Sequence, residues 1–200
     1  MKISLEMEKL SGLQALLIAG NANVQRAGTR AIKSTLQYIQ GLVKKDAAAE
    51  LNVPQKALTK RMFVSNIKNG DQQGRFWAGT WNVSPYVFGP PIQAGQGVFD
   101  ARGMQYAGAF IKRIFGYENI WIRLRSKFYD PNLYPGHRNK PATSALPGEL
   151  NSKFPVAKAS IEIIDAIEKV FRQDEENIRY EFDKRLRAEV NFALNVEGRK

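Results

Sequence analysis

Residues 107–125, reading Ala-Gly-Ala-Phe-Ile-Lys-Arg-Ile-Phe-Gly-Tyr-Glu-Asn-Ile-Trp-Ile-Arg-Leu-Arg, constrain the fold more than any other stretch. Two runs rich in β-branched and aromatic side chains flank Gly116-Tyr117-Glu118-Asn119. A glycine-containing break of that length between such runs predicts a β-hairpin. In the second run Ile120, Ile122 and Leu124 alternate with Trp121, Arg123 and Arg125, and the period of two gives one apolar face for a core and one basic face. Helical patterns precede and follow the hairpin. The expected fold class is therefore α+β, an antiparallel sheet of hairpins packed against a long N-terminal helix and a long C-terminal helix.

The first of these helices is expected over 23–51. Val24, Ala27, Ala31, Thr35, Tyr38 and Leu42 recur at three and four residues, and Ile32, Leu36, Ile39 and Val43 form an adjacent stripe, so the helix has a broad apolar face. Arg26, Arg30 and Lys33 fall on its polar side. The second helix is expected over 156–195, with Ile164, Ile167, Phe171, Ile178, Phe182, Leu186 and Val190 as its buried stripe. Asp174-Glu175-Glu176 interrupts that stripe, as a kink, a solvated bend or a patch for a neighbouring subunit's arginines. Between the helices, 63–68 reads as a strand, Asn69-Gly70-Asp71 as a turn and 75–83 as a return strand in which Trp77, Gly79, Trp81 and Val83 alternate with Phe76, Ala78 and Thr80. Ile3-Ser4-Leu5 suits a short first strand. At 200 residues and 44% hydrophobic, the chain can bury one sizeable core, and a single domain over 1–200 is expected. A Pro/Gly-rich loop insert at 129–155, long enough to be functional or ordered by a partner, completes the layout.

Composition removes several classes of chemistry. The chain has no cysteine, hence no disulfide and no thiolate, and the opening residues and short apolar run 16–19 suit neither a signal peptide nor a membrane span. A protein made in the cytoplasm, without a membrane partner, is expected. The only histidine, His137, has no carboxylate cluster near it in sequence, and Gly95-Gln96-Gly97 lacks the lysine and following helix of a phosphate loop. No catalytic, metal or cofactor-binding residue is assigned, and an enzyme is not expected.

Charge and aromatic residues carry the remaining signal. The net charge of +11 is uneven: +3 over 1–50, +8 over 51–150 and zero over 151–200. A basic centre suits phosphate, an acidic partner protein or a solvated surface. Val53-Pro54 breaks the first helix and opens a short one, giving a helix-turn-helix outline in which Lys56, Lys60 and Arg61 come near one another. With Arg123 and Arg125 these are candidate basic contacts for nucleic-acid phosphates, although the preceding helix is long and apolar for a recognition unit. Trp77, Trp81, Phe110 and Trp121 are candidate apolar anchors for protein interfaces. Base stacking is an alternative use of the aromatic residues in the 75–83 hairpin.

The order of these elements resembles the phage minor tail protein Z family, tail-completion components of long-tailed phages. The resemblance rests on Arg30-Ala31-Ile32 in a long helix and on Val53-Pro54-Gln55-Lys56-Ala57-Leu58-Thr59-Lys60-Arg61 after it. Gly108-Ala109-Phe110-Ile111 with Gly116 and Ile120 to Arg123 follow, and then Phe154-Pro155-Val156 before the final helix. It covers most of 24–194 and lies in the ordered set rather than in one motif; the insert at 129–153 and the aromatic stretch at 75–88 depart from the family pattern. The resemblance implies a structural virion protein at the head-proximal end of the tail, completing the tail, joining it to the neck, or both. It further implies a homo-oligomer, a six-fold ring by analogy with tail symmetry, whose partners are the tail terminator, tail tube and neck or connector proteins, near genomic DNA.

Overall fold

A computed structural model describes residues 2–6, 22–69, 71, 73–114, 116–135 and 156–197. The elements are β1 (Lys2–Glu6), α1 (Ala22–Glu50), α2 (Gln55–Thr59), β2 (Met62–Val64), β3 (Gln73–Ala78), a 3-10 turn (Pro85–Phe88), β4 (Ile92–Ala94), β5 (Gly97–Phe99), β6 (Gln105–Ala107), β7 (Phe110–Ile114), β8 (Tyr117–Arg123), β9 (Val156–Lys158) and α3 (Ile164–Asn195). The fold class is α+β, with two long helices and antiparallel sheets ordered β1-β3-β2, β4-β5-β6 and β7-β8-β9. The chain divides into two compact units. One comprises residues 1–50, 58–79 and 166–200, the other residues 51–57 and 80–165.

In the first unit α1 follows its apolar stripe: Val24, Ala27, Ala31, Ile32, Leu36, Ile39 and Val43 are all buried. It ends at Glu50, and Asn52 takes a left-handed backbone conformation (φ 49°) in which asparagine is among the few tolerated residues. β3 is the central strand, with Phe63 of β2 opposite Trp77 and Lys2 of β1 also opposite Trp77. Gly74, Phe76 and Ala78 point inward and Gln73, Arg75 and Trp77 outward, the alternation that a half-buried strand requires. The inner face carries α1 very closely. A Cβ on Gly74 would lie 2.5 Å from Ile32 Cγ2 and 2.6 Å from Leu36 Cδ1, so the glycine sets the helix-to-sheet distance.

α3 runs antiparallel to α1. The cross-links are Arg30 to Glu189 (2.6 Å) and Glu197 (3.1 Å), the Asn177 amide donating to the Tyr38 hydroxyl, the Arg185 guanidinium over the Tyr38 ring, and Lys169 to Glu50. Phe171 of α3 meets Phe76 of β3, ring centroids 5.7 Å apart. The expected interruption at Asp174-Glu175-Glu176 does not occur. The helix is continuous, with Glu175 and Glu176 exposed and Glu175 accepting from Arg179 one turn on; a pair at i,i+4 supports a helix rather than bending it.

In the second unit β8 is central. Its hairpin with β7 is tighter than expected, because Tyr117 already pairs with Ile114 and the return strand absorbs Glu118 and Asn119. The C-terminal helix also starts later: Val156–Lys158 forms β9 on the free edge of β8, Ile161 bridges Val83, and α3 begins only at Ile164. Ile120 and Ile122 pack with Val98, Tyr106, Ala109, Tyr134, Ala157 and Ala159. The other side of β8 is the expected basic face only at its end, where Arg123 is exposed; before it Trp121 packs with Val156, Phe110 and Ile114. The expected helical start of 156–163 fails because the edge of β8 offers backbone hydrogen-bond partners that a helix pattern cannot anticipate. Gly97 lies where β5 crosses closest to β6; a Cβ there would approach Tyr106 O to 2.3 Å. Gly95-Gln96 is the hairpin turn before it, with Gln96 O accepting from Gly108 N.

Candidate functional site

The solvent side of β2 and β3 carries an exposed pair of aromatic rings in the first unit. β3 alternates, so Phe76 goes to the core and Trp77, its neighbour, to the outside; the partner strand does the same with Met62 and Phe63. Phe63 is 54% and Trp77 46% exposed, their ring centroids 5.6 Å apart and tilted by 39°. The Trp77 indole leans over Gly79, where an added Cβ would come within 3.0 Å of the ring. Exposing two adjacent large aromatic rings forgoes burial worth several kcal/mol at about 25 cal/mol per Å², which marks a surface for a partner more than two isolated apolar residues would.

Beside this pair, Ser65, Asn66, Asp71, Gln73 and Arg75 line an open, shallow polar depression. Arg75 N donates to Ser65 Oγ at 2.9 Å, and the Arg75 guanidinium donates to Gln73 Oε1 at 3.3 Å, so the exposed guanidinium is held along the strand by a neutral neighbour. Asp71 is the acidic member; its Oδ2 accepts from Lys68 N at 2.7 Å. Lys60 and Lys68 are exposed nearby in sequence, and Arg61, whose carbonyl accepts from Gly79 N at 2.7 Å, is partly buried. Burial pulls the Arg61 guanidinium below its ordinary pKa.

The residues expected to form interfaces do not converge on one place. Trp77 belongs to the first unit and Trp81, 59% exposed, to the second. Phe110 is partly buried against Trp121 and Val156, and Trp121 is 3% exposed with its Nε1 donating to Lys112 O at 2.9 Å. Trp121 therefore acts as a core residue of this chain. The basic set divides likewise: Lys60 and Arg61 lie in the first unit, Lys56, Arg123 and Arg125 in the second. Arg123 and Arg125 are exposed at the end of β8 and in the turn after it. Sequence reasoning missed Phe63 and Arg75 as members of a surface with Trp77, although period-two alternation in β3 and the cross-strand register would have placed them there. The insert over 136–155, with His137, lies outside the described residues.

A second polar construction, in the second unit, is structural. Asp100 is buried; its Oδ1 accepts from Arg102 N (2.9 Å) and Met104 N (3.0 Å), and its Oδ2 accepts from the Arg102 guanidinium at 3.0 Å. That guanidinium stacks 3.6 Å from the Phe88 ring centroid. The carboxylate thereby closes a turn, and both of its oxygens are used within it. Nearby, burial, with help from Asp100, pushes the Tyr106 phenol up to about 12, and burial together with Glu118 does the same to Tyr86, also about 12. Burial raises Tyr134 as well, and its hydroxyl finds no hydrogen-bond partner among the described residues. Among the described residues no group of three or more His, Cys, Asp or Glu is placed to hold a metal, and no helix is long and apolar enough to cross a membrane. Compared with protein-family models, with curated proteins and with solved structures, the chain matches none.

Proposed function

We propose that this protein is a structural component of a phage virion, at the head-proximal end of the tail, which completes the tail and joins it to the neck through protein–protein interfaces. The observation that carries the reading is the exposure of the aromatic residues Trp77, Phe63 and Trp81, since tryptophan and arginine at a surface are the residue types that dominate binding energy when desolvated by a partner. The ordered resemblance to the minor tail protein Z family supplies the identity of the partners: the tail terminator, the tail tube and the neck proteins, with copies of the chain closing a ring. Assembly in this reading is interface complementarity without covalent chemistry.

Light scattering of the purified chain, alone and mixed with tail tubes assembled without it, tests the reading at low and moderate salt. A defined ring, or a saturable complex on tube ends that survives moderate salt, is the expected result. A monomer that ignores tube ends at both salts would overturn it. Trp81→Ala is expected to weaken the end complex by about tenfold or more with little change in the unfolding midpoint, because the side chain is mostly exposed.

A further inference from the structure

We propose that the solvent face of the β1-β3-β2 sheet binds single-stranded nucleic acid, bases stacking on Trp77 and Phe63 and phosphates engaging Arg75. Three observations meet on that face. Two aromatic rings on adjacent strands stand exposed within 5.6 Å of each other, and flat rings on an open sheet are the stacking platform that unpaired bases use. Arg75 lies two residues before Trp77 on the same side of the same strand, so a charge that pairs with phosphate sits one side-chain step from the ring. The polar depression next to it presents Ser65, Asn66 and Gln73, which can donate to and accept from base edges.

Charge selects the occupant. The chain carries +11; of the residues lining the depression one is acidic and one basic, and Lys68, whose backbone N–H donates to Asp71, is exposed at its edge. Two copies of a chain carrying +11 repel one another, which disfavours a second copy as the occupant. A duplex hides its base faces in the stack and cannot use two outward rings, whereas a single strand offers both phosphate and base face. The tail reading also draws on the exposure of Trp77 and Phe63. This inference names a different ligand for that face, and the Trp81→Ala end-complex measurement tests the tail reading apart from it.

The test is fluorescence anisotropy of a labelled oligothymidylate of about 12 nucleotides, within the usual site size of such surfaces, titrated with the full chain. Wild-type protein is expected to bind and to weaken steeply as salt rises from about 50 to 200 mM. Trp77→Ala is expected to lose about tenfold in affinity, and Phe63→Ala a smaller factor. Trp77→Phe retains most of the binding because a ring remains, and Arg75→Glu weakens binding and flattens the salt dependence; circular dichroism verifies that each variant is folded. Absence of binding at low salt overturns the proposal. So does binding that Trp77→Ala and Phe63→Ala leave unchanged. Equal affinity for duplex DNA, or equal competition by poly-glutamate, also overturns it, the latter in favour of an acidic protein partner on the same face.

Discussion

Two sheets of this protein carry nearly the same local arrangement and use it in opposite ways. In each the central strand bears a tryptophan with a phenylalanine opposite it on one neighbour and a lysine opposite it on the other: Phe63, Trp77 and Lys2 in the first unit, Phe110, Trp121 and Lys158 in the second. In each an arginine lies two residues from the tryptophan, Arg75 or Arg123. Yet Trp77 is 46% exposed and Trp121 3%. Trp121 packs with Ile114 and Val156 and gives its indole N–H to Lys112 O, whereas Trp77 leans over Gly79 with Phe63 beside it. The tryptophan of the trio is core in one sheet and exposed in the other. What differs, among the described residues, is the apolar packing on that side of the sheet.

The largest effect expected from breaking this comparison is at the covered tryptophan. Trp121→Ala is expected to destabilise the protein by about 3–5 kcal/mol, through lost burial and an unfilled cavity, measured by urea unfolding of the full chain. A loss below 1 kcal/mol would mean that the two sheets are alike after all. Next comes the inner face of the open sheet. Gly74→Val drives side-chain atoms into Ile32 and Leu36, already 2.5 and 2.6 Å from a bare Cβ position, and is expected to cost about 1–3 kcal/mol as overpacking. Only the inner side of that sheet is predicted to be intolerant.

Alkaline pH distinguishes the units in another way. Tyr106 ionises near 12 in the folded chain and near 10 when unfolded. Its contribution is fully present below pH 10 and is lost as pH rises through 12, because the unfolded state releases its proton first. For this 2%-exposed side chain the loss is on the order of 2–3 kcal/mol. A tyrosinate absorbance titration of the native protein is expected to show Tyr86 and Tyr106 ionising late, and Tyr106→Phe is expected to reduce the fall in stability between pH 10 and 12. The smallest effect is at the open tryptophan. Trp77→Ala is expected to cost about 1 kcal/mol, the worth of its aromatic pair with Phe63 and little more, in the same urea experiment.

Much of the fold is legible in the chain. The stripe from Val24 to Val43 announces α1 to within a residue or so of its observed ends, and Ile3-Ser4-Leu5 lies inside β1. Local patterns failed where a distant segment intervened. Val156–Lys158 has helix-compatible residues but lies on the edge of β8, thirty-odd positions earlier in the chain. Asp174-Glu175-Glu176 looked like a break, but the pair of Glu175 with Arg179 and the burial of Phe171 and Ile178 on either side carry the helix through. For the candidate site, Trp77 was recognisable as an aromatic residue of a strand, but its companionship with Phe63 required the β2–β3 register.

The sequence alone determined the periodicities, and with them the two long helices, the strand-rich middle and the α+β class, because side-chain direction along an element depends on neighbours three, four or two residues away. It also determined the basic charge and the absence of thiol chemistry. Tertiary structure decided which apolar faces are covered, how the strands pair across 70 residues between β1 and β3, and that the chain forms two compact units. Burial is a property of what packs on a face, and the residues that do so are far away in the sequence. The exposed Phe63–Trp77 pair and the buried Trp121 with its partly buried Phe110, alike in local arrangement, were separated only at that level.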